Sequence, residues 1–584
     1  MAKMLCLLNN RNEGFQTKAL EALSYNSNWE THSYKNRSVY MAALDLPFKN
    51  TSDYWLEDDD FVLMIDGEIM SWNIDVGGES VTRKLLNLYL DKGADLVQYL
   101  NGNFSIIIYG KKDLSLFVAN DRIGLRPLYY FNCNGKICFS SEVKALATDS
   151  EFPRKINFQS IIDLLTYEYV LEEQTLIENI FVFPYASTAL IEKNKEKVNP
   201  RCYWDFQYSQ TDQSVLTDGY MEQFLELFKQ AVERTYNSPY FPVGLPLSGG
   251  LDSRLIAAVT DLKYSPINTF TFGEQNCDDV KYAKRISNII VSNHHHSPIQ
   301  YHQLASFFEK GVSYCDGMVS CLHHHYLNMT DNLSAHVKIG LDGMAGDVFP
   351  RRMYSYLAGK DVNEVYKAYD TVQSNFRMRI FRKRFSSELG EARRRFNHLF
   401  EQATQKCPAN PIDYLNVTQR QRKFINYGKV GKRNYVEMRM PFLDYDLMDF
   451  CLKMPMDFRL EGKLVKNIFK KYYPELARVP KANAGPLFPN RLEQALNWRI
   501  RELKSKLKIN MNYADYNKYF RTFLKEFIYS NLTSAEFKCF PYFQHEEISK
   551  MLEEHFSGRQ NYEKQIAALL TISLWSKKTE GLYC

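Results

Sequence analysis

Pro246-Leu247-Ser248-Gly249-Gly250-Leu251-Asp252-Ser253-Arg254 follows an apolar run, residues 240–247, that reads as a short buried strand. It precedes Leu255-Ile256-Ala257-Ala258-Val259, which reads as the start of a packed helix. A Ser-Gly-Gly turn in that setting brings backbone N–H groups and a helix N-terminus toward an anion. Gly249 and Gly250 permit a tight turn and close approach, and Ser248 and Ser253 add hydroxyls. Asp252 is the odd member. A carboxylate beside a phosphate is repulsive unless a cation lies between them. The local chemistry is therefore that of a nucleotide triphosphate with Mg²⁺. Kinase-type phosphate loops need a Lys before the final Ser or Thr, and Leu251-Asp252 fill that space here.

Outward from this loop, the chain has 584 residues and should hold more than one domain. A net charge of +5 is small for this size and does not by itself indicate nucleic-acid binding. The N-terminal apolar run is too short for a secretory signal, and no apolar stretch is long enough to span a bilayer. Eleven cysteines, odd in number and without a repeated spacing, suit reduced thiols in a cytoplasm.

Residues 1–205 are rich in short apolar runs separated by turn signals such as Asp66-Gly67, Asn101-Gly102 and Asn134-Gly135. They predict a sheet-rich domain with one helix over residues 82–92. From 206 to 584 helical patterns, including 216–237 and 278–290, alternate with short apolar strands at 267–272 and 337–341. That alternation predicts a parallel α/β sheet, with the nucleotide at the carboxyl ends of its strands.

The loop Ser248-Gly249-Gly250-Leu251-Asp252-Ser253 resembles the pyrophosphate loop of ATP pyrophosphatases. Asp66-Gly67-Glu68-Ile69, Leu100-Asn101-Gly102-Asn103-Phe104, Asp121-Arg122-Ile123-Gly124-Leu125-Arg126-Pro127, Ser140-Ser141-Glu142-Val143-Lys144-Ala145-Leu146 and Glu437-Met438-Arg439-Met440-Pro441-Phe442-Leu443-Asp444 occur in order. Together they resemble the asparagine synthetase family over nearly the whole chain. The resemblance implies an N-terminal αββα sandwich of glutaminase type, then a parallel-sheet α/β ATP-pyrophosphatase domain with a helical C-terminal part.

The first domain departs from that pattern. The family's glutaminase nucleophile is a Cys exposed as the first residue, and residue 2 here is Ala. Cys6 lies inside an apolar run and reads as a packed thiol. The family's substrate-gripping Arg has no counterpart near Ser38-Val39-Tyr40-Met41. Ser80-Val81-Thr82-Arg83 stands where an acid is expected. A scaffold without glutaminase activity is the expectation.

In the second domain the resemblance assigns Ser248, Gly249, Gly250, Asp252 and Ser253 to pyrophosphate and metal. It assigns Phe272 and Gly273 to the adenine pocket, Gly343 and Gly346 to a nucleotide-binding turn, and Asp347 to a second metal carboxylate. Lys466 and Lys481 meet phosphates, with Lys481 stabilising charge on the adenylate. Asp279 opens a helix and reads equally as a cap. Met344 replaces a Glu usual in asparagine-forming members, and Val348 an acid common after the Asp; loss of that Glu alters how the amine is deprotonated or the substrate is held. Disabled-glutaminase relatives include β-lactam synthetases and lasso-peptide cyclases.

The two histidine triplets, His294-His295-His296 and His323-His324-His325, are poor chelators because neighbouring side chains diverge. Asp316 reads either as a neighbour of the acceptor pocket or as an ordinary loop acid. The basic stretch 377–395 reads as a solvated helix face, or as a dock for an acidic peptide or carrier protein. The expected activity is AMP-forming amide ligation of a small-molecule or peptide carboxylate, without glutamine hydrolysis. No nucleic-acid or membrane partner is expected, and a homodimer is admitted. The rival readings are a glutamine- or ammonia-dependent asparagine synthetase, an RNA-modifying ATP pyrophosphatase, and a non-catalytic regulator or scaffold.

Overall fold

The computed structural model describes residues 3–578 except 10–11, 26–28, 46–49, 134, 194–196, 209–217, 237–241, 353, 373, 483 and 507–511. Ala2, Asn134 and residues 216–217, 237 and 240–241 of the sequence reading lie outside the described residues.

The N-terminal part is two six-stranded antiparallel sheets packed face to face. One runs, in spatial order, Phe181–Val182, Tyr129–Cys133, Lys136–Ser140, Lys3–Leu8, Val39–Asp45 and Glu30–Lys35. The other runs Arg201–Cys202, Ser187–Ile191, Leu116–Asn120, Leu100–Gly110, Phe61–Trp72 and Trp55–Glu57. Every residue of Lys3–Leu8 is buried because both its faces are covered. Met4, Cys6 and Leu8 join the core between the sheets. Leu5 and Leu7 point the other way, into a core shared with the helices Glu13–Leu23 and Phe158–Tyr167. The helix Val81–Lys92 packs Leu85, Leu86 and Leu88 against the second sheet.

Asp66-Gly67 and Asn101-Gly102 are not turns. They lie inside the long paired strands Phe61–Trp72 and Leu100–Gly110, with Gly67 opposite Phe104 and Ile69 opposite Gly102. Gly67 has φ +119°, and a Cβ there would collide with the Asn103 carbonyl. These glycines serve close strand approach rather than chain reversal.

The second part is built on a five-stranded parallel sheet ordered Asn293–Ser297, Asn268–Phe272, Val243–Pro246, Ile339–Leu341 and Glu437–Arg439. The strand order reverses between Val243–Pro246 and Ile339–Leu341. That switch point opens a crevice at the carboxyl ends of those two strands. The glycine loop follows the first of them, and Gly343-Met344-Ala345-Gly346-Asp347 follows the second. Behind the sheet, the helix Glu563–Lys578 is buried on all sides from Gln565 to Ser576. Its Thr571 hydroxyl accepts the Cys321 N–H at 2.8 Å, fixing the loop that carries His323. No described helix is long and apolar enough to cross a membrane.

The two parts meet through the motifs that carried the resemblance. Arg126 pairs with Glu437 and lies 3.5 Å from Asp66, all three 1% exposed. Arg439 grips Glu68 through two bonds of 2.7 and 2.9 Å. Asn101 donates to Asp444 at 3.1 Å, and Arg433 donates to the Leu125 carbonyl at 2.8 Å. Asp316, one of the open sequence assignments, accepts the Val143 N–H at 2.7 Å and pairs with Lys144 at 3.3 Å. It caps a helix of the other domain.

Candidate active site

The loop between Val243–Pro246 and the helix Asp252–Val259 holds its own donors in place. The Ser248 N–H is taken by the Ser253 hydroxyl at 3.1 Å, and the Gly250 N–H by the Ser248 hydroxyl at 3.1 Å. The Gly249 N–H donates to Asp279 at 3.2 Å. Asp279 is therefore not the helix cap. Cys277 holds that position, and Asp279 ties the first turn of its helix to the glycine loop. Neither Gly249 nor Gly250 has left-handed φ. Gly249 is required for contact, since a Cβ would lie 2.7 Å from Ala482 Cβ. Buried Arg254 closes the back of the loop, donating to the carbonyls of Gly249, Leu476, Val479 and Pro480. Those bonds bring the segment carrying Lys481 against the loop, where the Ala482 N–H also donates to Gly249 at 3.1 Å.

Asp252 is the electrostatic centre. Its carboxylate accepts from Arg351 at 2.6 Å. Burial and the negative charge of Asp347 push it up to about 6, against the pull of Arg351 and Lys481. Lys481 is lowered from the ordinary lysine range by burial and by the charges of Arg351 and Lys466. The expected residues Asp252, Asp347, Lys466 and Lys481 thus share one electrostatic site. Asp347 accepts from Gln421 at 3.0 Å.

Arg351 and Gln421 were not read from the sequence. The only signal was a basic residue four positions after Asp347. Arg351 Nη1 and Gln421 Oε1 are buried without a hydrogen-bond partner among the described residues. An unpaired guanidinium nitrogen fits a phosphate oxygen. Two carboxylates in hard-oxygen surroundings fit Mg²⁺.

Gly343 and Gly346 let this centre assemble. A Cβ at Gly346 would lie 2.5 Å from Asp252 Oδ1, and one at Gly343 would lie 2.9 Å from Asp252 Cβ. Gly346→Ala should displace the Asp252 carboxylate and slow nucleotide chemistry by about 100-fold. Acid-dependent exchange of labelled pyrophosphate into ATP measures it, and a thermal melt within a few degrees of wild type shows that the fold survives.

Beside the centre lies a cavity of about 440 Å³. Leu247, Phe270, Phe272 and Met329 supply apolar walls, and Ser248, Asp252, Ser253 and Gly343 line its polar part. Gly273 has φ +143° and makes the strand exit where Tyr513 crosses over it. Tyr513 and His325 pack against Phe272, with His325 stacked at 5.3 Å. Asp342 binds Lys429 at 2.6 Å and Lys432 at 3.3 Å. Burial alone would raise Asp342, yet the two ammonium groups hold it well below the usual carboxylate range. Tyr513 and the two lysines were missed because they come from segments distant in sequence.

The His294–His296 triplet lies on the edge strand Asn293–Ser297, where His295 stacks on Phe270 at 4.8 Å. The basic stretch is not a uniformly solvated face. Arg377 is buried on Asp370, Arg379 pairs with Glu547 and Glu554, and Arg395 pairs with Asp163 and Glu172.

Residues 223–484 match the asparagine synthase family, and residues 64–204 match the glutamine amidotransferase domain. The chain belongs to the asparagine synthetase family. Asparagine synthetase (glutamine-hydrolysing) 2 of Bacillus subtilis strain 168 is 25% identical over 482 residues, covering 74% of this chain and 62% of that protein. A Methanocaldococcus jannaschii protein assigned as a glutamine-hydrolysing asparagine synthetase is 27% identical over 299 residues, covering 46% and 57%. Asparagine synthetase (glutamine-hydrolysing) 1 of B. subtilis is 21% identical over 578 residues, covering 89% and 86%. The matches thus span less than two thirds of the length of the first two of these relatives. Met344 is 3% exposed and packed in the core.

Proposed function

We propose that this chain is an ATP-dependent, AMP-forming amide ligase that does not hydrolyse glutamine. The convergence of Asp252, Asp347, Arg351, Lys466 and Lys481 on the loop at the sheet's switch point carries the reading. A carboxylate oxygen is a poor leaving group, and joining the acid to AMP makes it a good one. Arg351 and Lys481 would stabilise charge as pyrophosphate departs. Asp252 and Asp347 would hold Mg²⁺, whose contribution is to neutralise the phosphate oxygens. The Lys429–Asp342–Lys432 cluster supplies fixed positive charge along the nucleotide cavity. Phe270, Phe272 and Tyr513 exclude water from the base. Acid-dependent pyrophosphate exchange into ATP is the direct test. Formation of ADP and orthophosphate would refute the reading.

The nitrogen source is the finer part of the proposal. Cys6 is the thiol nearest the chain start, and it sits at 0% exposure in the middle of a sandwich strand. Burial pushes that thiol far above the usual range, which disfavours the thiolate a nucleophile needs. Ser80, in the segment that stands where the family's acid is expected, caps the helix Val81–Lys92 by accepting the Arg83 N–H at 3.2 Å. Arg83 itself pairs with Asp58 at 2.8 Å. The amine is therefore free ammonia, a small amine, or a group on the substrate itself. The purified protein should release no glutamate from glutamine above a no-enzyme blank, and Cys6→Ser should leave ligation rates within about 2-fold. Stoichiometric glutamate release would reverse this reading.

A further inference from the structure

A second cavity, also about 440 Å³, adjoins the nucleotide cavity and shares His323, Phe424 and Tyr513 with it. Its walls hold unspent hydrogen-bonding capacity. The hydroxyls of Tyr169, Tyr369, Tyr516 and Thr371 are buried without a partner among the described residues. Buried polar groups left unpaired are costly, so four lining one space point to a polar occupant. Arg420 lies over the rings of Tyr354 and Phe424 at 5.1 and 5.2 Å. It makes no hydrogen bond or ion pair among the described residues, so its guanidinium can hold an anion. Arg420 and Phe424 sit on the π-helical run Asn416–Ile425, a geometry that occurs mostly at functional sites.

At the junction of the two cavities, His323 Nε2 lies 3.3 Å from Glu168 Oε1. Lys564 holds the other Glu168 oxygen at 3.0 Å. Glu168 is buried and has φ +68°, an uncommon conformation for a residue with a side chain. Burial would raise this carboxyl, but the hydrogen bond and charge of His323, with Lys564, hold it at about 2. A carboxylate fixed in this way orients an imidazole and leaves its second nitrogen to act as a base. His323 Nδ1 has no hydrogen-bond partner among the described residues. Met344 provides no carboxylate for the same task.

We propose that the second cavity receives the attacking amine, that this amine carries its own anionic group for Arg420, and that His323, oriented by Glu168, deprotonates it. The inference rests on the ligase reading above. The acceptor enters as R–NH₃⁺, whose nitrogen has no free electron pair. His323 Nδ1 takes one proton. The nitrogen then attacks the acyl carbon of the adenylated acid and an N–C bond forms. The C–O bond to the phosphate breaks, and AMP leaves with that electron pair. The surplus proton on nitrogen passes to water. The amino-acid class of acceptor satisfies both ends, with its carboxylate on Arg420 and its ammonium toward the Glu168–His323 pair.

The test compares nucleophiles that do and do not need a base. Wild-type protein is screened for pyrophosphate exchange with L-aspartate, uronic acids and N-acetylated amino acids. With an acid that supports exchange, His323→Gln and Glu168→Gln are assayed for exchange, for hydroxamate formation from hydroxylamine, and for amide formation with glycine. Hydroxylamine is uncharged at neutral pH and needs no deprotonation. Measured against exchange and hydroxamate formation by the same variant, amide formation with glycine should fall by a further factor of about 100 or more. Arg420→Gln should raise KM for glycine about 10-fold and leave that for methylamine unchanged. Unchanged amide formation in His323→Gln, or an equal fall with hydroxylamine, overturns the inference. No exchange with any acid sinks the ligase reading instead, and the inference with it.

Discussion

Lys481→Met should abolish most acid-dependent pyrophosphate exchange, with a fall of about 100- to 1,000-fold. The side chain is three residues from Ala484 in a tight turn, where Lys481 and Gly485 bond each other's backbone at 2.8 and 3.0 Å. That turn is anchored to the glycine loop by the Ala482–Gly249 bond and by Arg254. The ammonium is therefore held on a rigid mount beside Asp252. Its partial burial, together with Arg351 and Lys466, lowers its pKa, and a cation in such surroundings acts more strongly on developing charge than one in water. Methionine keeps the length and most of the volume while removing the charge. Nucleotide binding, followed by equilibrium titration with a fluorescent ATP analogue, should weaken far less than the rate. A rate within 10-fold of wild type would remove Lys481 from the charge-stabilising role.

Arg126→Met should destabilise the protein by about 3–5 kcal/mol. Arg126 lies between Glu437 and Asp66 in a space closed to water. Burial works against its charge, but the two carboxylates hold its pKa above the ordinary arginine range. Removing it leaves two acids facing each other without compensation. The pair spans the junction between the sandwich and the parallel sheet. Glu437 begins the strand Glu437–Arg439 at the sheet edge. The expected result is a lower and broader thermal transition, with the two parts losing structure at different temperatures. The double variant Arg126→Met with Glu437→Gln should recover a large share of the loss, because the orphaned charge is gone. A single-variant melt unchanged from wild type would show that the two domains are held together by other contacts.

The same junction accounts for much of what is legible of the glutamine amidotransferase domain in the sequence. Glu68, Asn101, Leu125, Arg126 and Lys144 belong to the motifs that carried the family resemblance, and each contacts the synthetase side. The positions that departed from the pattern, Cys6 and the segment around Ser80, serve the sandwich's own packing and helix capping. Those motifs now maintain a junction.

The glycine loop was readable because its chemistry is local. Strand, turn and helix are consecutive, and a carboxylate at the second position after two glycines constrains the ligand without reference to anything distant. Asp347, Lys466 and Lys481 were readable through ordered motifs. Asp66-Gly67 and Asn101-Gly102 misled because a glycine in a close strand crossing has the same letter as a glycine in a turn, and only the pairing of Gly67 with Phe104 distinguishes them. The basic stretch misled similarly. Arg377 and Arg395 find acids more than six residues away in sequence, on Asp370 and Asp163, and side-chain spacing on one helix does not show such partners.

By itself the sequence determined the sheet-rich character of the first part, the parallel sheet of the second and the family, since each rests on short contiguous patterns of hydrophobicity and charge. Tertiary structure alone decided that Arg351 pairs with Asp252, that Tyr513 lines the cavity beside them, and that Glu168 reaches His323 across 155 positions of chain. Those are encounters between side chains brought together by packing. Electrostatic energy depends on distance through space, which the order of residues along the chain does not record.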